Sequence, residues 1–433
     1  MWVSVTYAMN LYFRVVVTIN RPRKFYNRTI YASNHASSFM DPLVIGGFNR
    51  ALVFFMTRSD VFTTFSRPFL WAAHMLPIYR QQDGVDTKEK NMEVFREVYK
   101  ILKSKRSPLI FAEGFTDDVF VRRLKPIKKG AARMGFSALD ACDWKMDIKM
   151  AAVGCNYTNP HLIRSSLLIK TSDEFSLLEY ADVYRENPGL AINQVTERLN
   201  RHMLDQITHV EREEWCDFHE HIMTITGKGM HEELDGNKID LKERFRYSKE
   251  LANWLNEFDN ELSQELEQLK GDLASFFSIL YKNHLPLSAL KDASVKNSKW
   301  FLLHLLKLLL LLPFSILGCL HIAPAFLVAK KFVEKKFKRS VFWGSAKMLI
   351  SLIIAGLYNI VLVTVVASYL DVEWYFGTLY YFSIGVFWWA FLESRQIIRK
   401  IKNRSKIKKM DVDELYGMFN RLASKIDDLI PVK

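Results

Sequence analysis

The sequence predicts an α/β domain, then a charged helical segment, then an apolar, membrane-embedded last third. Three observations carry this reading. Between Thr29 and Thr158, short β-branched or aromatic runs alternate with longer stretches whose apolar residues recur at helical spacing. Residues 211–298 are rich in Glu, Lys, Asp and His, again with apolar positions at helical spacing. From Trp300 to Leu392, successive apolar runs are long enough to cross a bilayer.

Composition narrows the class of partner. The 433 residues carry 60 Lys and Arg against 47 Asp and Glu, a net charge of +13. An excess of this sign suits an anionic partner: a membrane surface, a phosphorylated substrate or a nucleic acid. Cys142, Cys155, Cys216 and Cys319 are scattered without paired spacing, so neither a disulfide framework nor a zinc site is expected.

In chain order, residues 2–19 are apolar and aromatic, broken by Asn10 and Arg14. The run is barely long enough to span a bilayer and lacks the cleavage site of a secretory signal. It is expected as one interfacial or core-packing helix within a segment 1–24 that ends in Arg21-Pro22-Arg23-Lys24. Thr29-Ile30-Tyr31-Ala32 reads as a strand. The polar run Ser33-Asn34-His35-Ala36-Ser37-Ser38 follows, and then Phe39-Met40-Asp41-Pro42, where Asp41 is expected to cap a helix and Pro42 to take its first position.

His35 thus sits between a strand end and a helix start, where α/β enzymes commonly place their chemistry. On a regular helix His35 and Asp41 would be turned apart by about 240°, so they meet only if the loop folds back. If they meet, Asp41 holds the imidazole in one tautomer and the other ring nitrogen takes a proton from a substrate hydroxyl. Taken alone, the same two residues also fit a helix cap and a satisfied loop histidine.

Further strands are expected at Leu52–Met56, Met75–Tyr79, Leu109–Phe111 and Ala151–Thr158, with a helix over Lys88–Lys103. Their polar ends fall where ligands sit in open α/β sheets. Arg80, just past a strand, can grip a phosphate through its planar fork, or be an ordinary surface charge. Glu113-Gly114 offers a carboxylate at a tight turn. The basic stretch Lys125-Pro126-Ile127-Lys128-Lys129-Gly130 opens a small-residue helix that could hold phosphate at its N-terminus, or be a solvated turn.

In order, Asn34-His35 through Asp41-Pro42, Leu76-Pro77-Ile78-Tyr79-Arg80, Phe111-Ala112-Glu113-Gly114 and Ala152-Val153-Gly154-Cys155-Asn156-Tyr157 resemble the motif series of the PlsC-type glycerolipid acyltransferases. The resemblance covers residues 25–210 and implies a mixed sheet with flanking helices. His35 and Asp41 stand one residue further apart than the usual family spacing. That longer form, with Lys125 to Arg133 and the apolar C-terminus, looks like the branch of glycerol-3-phosphate and dihydroxyacetone-phosphate acyltransferases. Ala112 replaces a common proline and Phe115 precedes Thr116, which leaves the part played by Thr116 open. By resemblance, His35 deprotonates the acceptor hydroxyl and Asp41 orients His35. Arg80 binds the acceptor phosphate, and Glu113 and Gly114 complete the pocket, with Thr116 and Lys128 beside them. No metal or cofactor is implied. Ser37 and Ser38 are expected to shape the loop rather than to act as nucleophiles.

Within 211–298, His219, Glu220, His221 and Glu232-Glu233 invite a metal reading, but their spacing fits no ligand set, and a solvated helical hairpin or coiled coil is expected. The membrane region is expected over 299–394: a re-entrant hairpin at 300–328, prompted by Pro313 and Pro324, then spans at 341–370 and 374–392. Six basic residues in 330–339 and eight in the 395–409 part of the tail 395–433 favour the cytosol for both. The hairpin would then keep the catalytic domain on the cytosolic face, of a bacterial inner membrane or the endoplasmic reticulum.

The sequence therefore leads to a membrane-bound acyltransferase that moves a fatty acyl group from acyl-CoA or acyl carrier protein to glycerol-3-phosphate or dihydroxyacetone phosphate. Two alternatives stand beside it. One acylates lysophosphatidate, and the other is a membrane scaffold with an inactive fold. Nucleic acid is not an expected partner, since no binding motif is evident.

Overall fold

A computed structural model describes residues 2–49, 51–64, 67–79, 87–236, 238–258, 261–294 and 298–433. The chain divides into two compact units. The first comprises Met1–Pro160, Ser165–Glu213 and Asp240–Asn256.

The first unit is built on an eight-stranded mixed sheet: β1 (Val15–Ile19), β2 (Thr29–Ser33), β3 (Val53–Arg58), β4 (Met75–Ile78), β5 (Ser107–Phe111), β6 (Lys149–Tyr157), β7 (Ser166–Thr171) and β8 (Phe175–Ser176). The order is β1-β7-β6-β2-β5-β3-β4, with β8 against the start of β6. Strand β2 is central and parallel to both β5 and β6, with Ser33 level with Phe111 on one side and Val153 on the other. All five of its residues are buried, as a central strand covered on both faces requires. The β6–β7 pair is antiparallel, and that reversal makes the sheet mixed.

Ile30 and Ala32 face a core closed by α4 (Thr87–Lys103), α5 (Gly130–Asp140) and α7 (Pro188–Gln206), through Val98, Leu102, Ala132, Leu139, Val195 and Leu199. Tyr31 and Tyr157 alternate to the other face, where the Phe13 ring lies 6.0 Å from that of Tyr157. There α1 (Trp2–Tyr12) packs on α2 (Met40–Phe48), and the Thr6 hydroxyl donates to the Gly47 carbonyl at 3.2 Å.

The single helix expected over residues 2–19 is instead α1 followed by β1. Val15-Val16-Val17-Thr18-Ile19 is wholly β-branched and gains a full ladder with β7, which outweighs continuing a helix those side chains crowd. The domain therefore starts before residue 25. It also extends past 210, because α9 (Leu241–Asn256) is tied to it by Lys249 Nζ donating to the Leu204 carbonyl and Asn256 donating to that of His209.

The second unit comprises His161–Arg164, Glu214–Ile239 and Glu257–Lys433. It is helical: α8 (Cys216–Thr226), α10 (Gln264–Lys282), α11 (Leu287–Ser294), α12 (Ser298–Lys336), α13 (Trp343–Tyr369), α14 (Trp374–Ile407) and α15 (Val412–Leu429). His221 is stacked on Phe277 at 4.2 Å, and burial lowers it to about 4. It is a neutral packing residue at physiological pH.

Two helices among the described residues are long and apolar enough to cross a membrane: Lys299–Lys336, with mean hydropathy 2.1, and Trp343–Tyr369, with 2.5. The hairpin expected at 300–328 is not formed. Helix α12 runs through both Pro313 and Pro324, since prolines inside apolar helices are tolerated where neighbouring groups satisfy the freed carbonyls. This removes the return that held the domain and the basic 330–339 stretch on one side. The third expected span lies in α14, whose Trp- and Tyr-rich start falls short of the same apolar measure.

Helices α12 and α14 approach closely at Gly318, where an added Cβ would come within 2.2 Å of the Phe387 carbonyl oxygen. His321 joins α12 to α13 through Asn359, at 2.5 Å, and to α14 through the Tyr380 hydroxyl, at 2.8 Å.

Candidate active site

Because β2, β5 and β6 run in the same direction, their carboxyl ends open on one edge of the sheet. The loop after β2 is strapped to both neighbours. On one side Asn34 behaves as an extra rung on β6, accepting from the Cys155 N–H at 2.8 Å and donating to the Cys155 carbonyl at 3.1 Å. On the other, the His35 N–H donates to Glu113 Oε1, just past β5, at 2.7 Å.

The chain then turns sharply. Ser38 adopts the left-handed region, with φ of 47°, and the Met40 N–H donates to the Ser37 carbonyl at 2.9 Å. This fold-back brings Asp41 Oδ2 to 2.9 Å from His35 Nδ1. The Ser37 N–H donates to the same oxygen at 2.9 Å, and the Tyr157 hydroxyl donates to Oδ1 at 2.8 Å.

Helix α2 thus begins at Met40, and Asp41 does not cap it. Its carboxylate serves the preceding loop and is wholly buried. Since a carboxylate only accepts, Nδ1 carries the proton and Nε2 is the basic nitrogen. The imidazole lies flat on Phe111, with ring centroids 4.2 Å apart. His35 and Tyr157 line one opening, together with Asn34, Glu113, Arg122 and Lys125.

Glu113 is braced rather than free. Its second oxygen accepts the Lys125 N–H at 3.2 Å, so both oxygens hold backbone. Burial raises its carboxyl above the ordinary value, opposed by those two N–H donors and by the charge of Lys125. Gly114 turns at φ +79°, and an added Cβ would meet Lys128 Nζ at 2.7 Å, so the lysine stem lies over the glycine. Lys128 is exposed, while Thr116 is buried and is not among the residues lining the opening. Arg80 lies outside the described residues.

Two residues here were not singled out from the sequence. Arg122 is buried and donates to the carbonyls of Tyr157 at 2.8 Å and Thr158 at 3.3 Å. Tyr157 is buried at the end of β6. The available signal was the polar Asn156-Tyr157-Thr158 ending of an otherwise apolar strand. Burial and the Asp41 charge push the Tyr157 phenol well above its ordinary value, and they act likewise on the Cys155 thiol. Cys155 therefore stays a thiol and is no nucleophile.

Residues 14–154 match the family profile described as Acyltransferase. The chain is 22% identical over 261 residues to glycerol-3-phosphate O-acyltransferase 1 of Saccharomyces cerevisiae, a match covering 59% of this chain and 33% of that protein. The matched region thus spans about a third of that relative's length. A solved structure, the 1-acyl-sn-glycerophosphate (LPA) acyltransferase PlsC from Thermotoga maritima, aligns at 15% identity with a TM-score of 0.30, over 46% of this chain and 78% of that one. The profile match opens just before β1 and closes within β6, so it encloses the His35–Asp41 pair and Glu113 together. Over residues 14–154 the chain is thus similar to the Acyltransferase family.

Proposed function

We propose that the chain is a membrane-associated glycerolipid O-acyltransferase that transfers a fatty acyl group from a thioester, acyl-CoA or acyl carrier protein, to a hydroxyl of glycerol-3-phosphate or dihydroxyacetone phosphate. The observation that carries this reading is the 2.9 Å His35–Asp41 bond at the rim of the opening, which leaves Nε2 as base. In the reaction, Nε2 takes the hydroxyl proton while the oxygen attacks the thioester carbonyl carbon. The tetrahedral intermediate collapses with loss of thiolate, which recovers that proton from the imidazolium. Asp41 stabilises the transient positive charge on His35. Ser37 supplies its backbone N–H to Asp41, and Ser38 supplies the left-handed turn, so both serines have loop-building roles that do not require an acyl-enzyme. In this reading Arg80 grips the acceptor phosphate, and Gly114, Thr116 and Lys128 serve acceptor binding.

The acceptor is tested with the purified full chain in lipid nanodiscs, one acyl-CoA, and either glycerol-3-phosphate or lysophosphatidate. Turnover at least tenfold faster with glycerol-3-phosphate is expected. The reverse preference assigns the chain to the second acylation instead.

The two apolar helices support membrane association. We place the domain on the cytosolic side, where soluble thioester donors are available. In a chain with its four native cysteines replaced by serine, Arg201→Cys on exposed α7 is expected to resist an impermeant maleimide in sealed right-side-out vesicles and to react once they are permeabilised. Labelling of intact vesicles places the domain outside.

A further inference from the structure

We propose that Tyr157 is a positioning residue for the reaction, acting through Asp41 to hold the His35 imidazole in its working orientation. This rests on the reading of His35 as the base. The geometry is a three-donor clasp on one carboxylate. Ser37 N–H and His35 Nδ1 share Oδ2, at 2.9 Å each, and the Tyr157 hydroxyl takes Oδ1 at 2.8 Å. An aspartate held through one oxygen could rotate about its terminal bond, whereas one held through both oxygens cannot. Tyr157 is well suited to be the fixed end of that clasp. Its backbone is level with Leu167 in the β6–β7 ladder, and its carbonyl receives the Arg122 guanidinium at 2.8 Å. Its ring is wholly buried beside Phe13. The hydroxyl donates because Asp41, as a carboxylate, can only accept.

The clasp also sets how strongly Asp41 pulls on the imidazole proton. A donor on Oδ1 withdraws charge from Oδ2, so removing it makes the carboxylate more basic toward His35 and the imidazolium more stable. The base then needs a higher pH to be unprotonated, and the acid limb of kcat/KM moves up. A stronger donor at the same place moves that limb down.

The experiment compares Tyr157→Phe, 3-fluorotyrosine incorporated at 157, and His35→Ala, all as full chain in nanodiscs. Tyr157→Phe is expected to lose roughly tenfold in kcat, the lower end of the loss seen when an outer-shell partner of a metal-ligating histidine is removed, because Tyr157 acts on His35 only through Asp41. KM should stay within about twofold, with the acid limb shifted to higher pH. The fluorinated variant, which keeps the ring and strengthens the donor, is expected to shift the limb to lower pH. Tyr157→Phe added to Asp41→Asn is expected to cost nothing further, because the two act as one unit. Unchanged acid limbs in both variants, or additive losses in the double variant, reduce Tyr157 to a packing residue. Should Tyr157→Phe fail to fold, the fluorotyrosine shift alone decides between the two outcomes. Full activity in His35→Ala overturns the reading of the site itself, a result distinct from either.

Discussion

Replacing His35 with alanine is expected to lower kcat/KM by roughly 10²- to 10⁴-fold while the fold survives, the range that a positioned general base contributes. The separation of activity from stability follows from where the side chain sits. The His35 side chain is 18% exposed, and its structural ties are the Phe111 stack and one bond to Asp41. Removing it still leaves Asp41 with the Ser37 and Tyr157 donors, so no buried charge is stranded. The straps at Asn34 and at the His35 N–H use atoms that alanine retains or that belong to a neighbouring residue.

Asp41→Asn should be nearly as inactive by a different route. Whichever way the amide turns, it can accept through one atom only. The amide oxygen is held at the Oδ2 position, where the Ser37 N–H and His35 Nδ1–H both donate, and its NH2 turns to the Tyr157 hydroxyl, so the tautomer survives but the imidazolium formed in the reaction loses its facing negative charge. Initial rates with acyl-CoA and glycerol-3-phosphate, alongside thermal midpoints, check both variants. A His35→Ala protein that keeps more than a tenth of wild-type turnover would favour an inactive scaffold over an enzyme.

Glu113→Leu is expected to act in the opposite balance, damaging the fold more than the chemistry. Two backbone N–H groups, those of His35 and Lys125, donate to this one buried carboxylate. Leaving each unsatisfied costs about 1–3 kcal/mol, so about 2–6 kcal/mol together, against a total stability of about 5–15 kcal/mol for a typical domain. Glu113→Gln keeps one acceptor oxygen and should fall between.

The two variants also separate by pH. Burial raises the Glu113 carboxyl above its ordinary value, so the folded chain holds that proton more tightly than the unfolded one. Its contribution to stability is therefore full in acid and declines as pH climbs from the ordinary carboxylate range through the raised value. Glutamine does not titrate, so the gap between wild type and Glu113→Gln should narrow from pH 4 to pH 8. Melting scans across that range test it. A pH-independent gap, or a Glu113→Leu protein of normal stability with only a raised KM, would mean that Glu113 binds substrate instead of bracing the loop.

Local sequence determined a large part of this protein. Alternating apolar runs encode the strand-and-helix order, because β-branched and helical periodicities are read over a few residues. The placement of His35 and Glu113 after strands follows from the same short-range pattern. Where two local preferences competed, sequence reading failed. The apolar N-terminal run divides at Phe13 because Val15–Ile19 finds a partner in β7, 151 positions later in the register of Val15 with Ser166. Likewise α12 continues through its prolines because helices α13 and α14 pack against it.

Tertiary structure alone decided the site. Strand register set β2 between β5 and β6, and so delivered Glu113 to the His35 N–H from 78 residues away and Tyr157 to Asp41 from 116. Spacing along the chain contains no record of which strand ends will be neighbours. Only hydrogen-bonded pairing across the sheet turns a histidine and an aspartate on one loop into an oriented, buried pair.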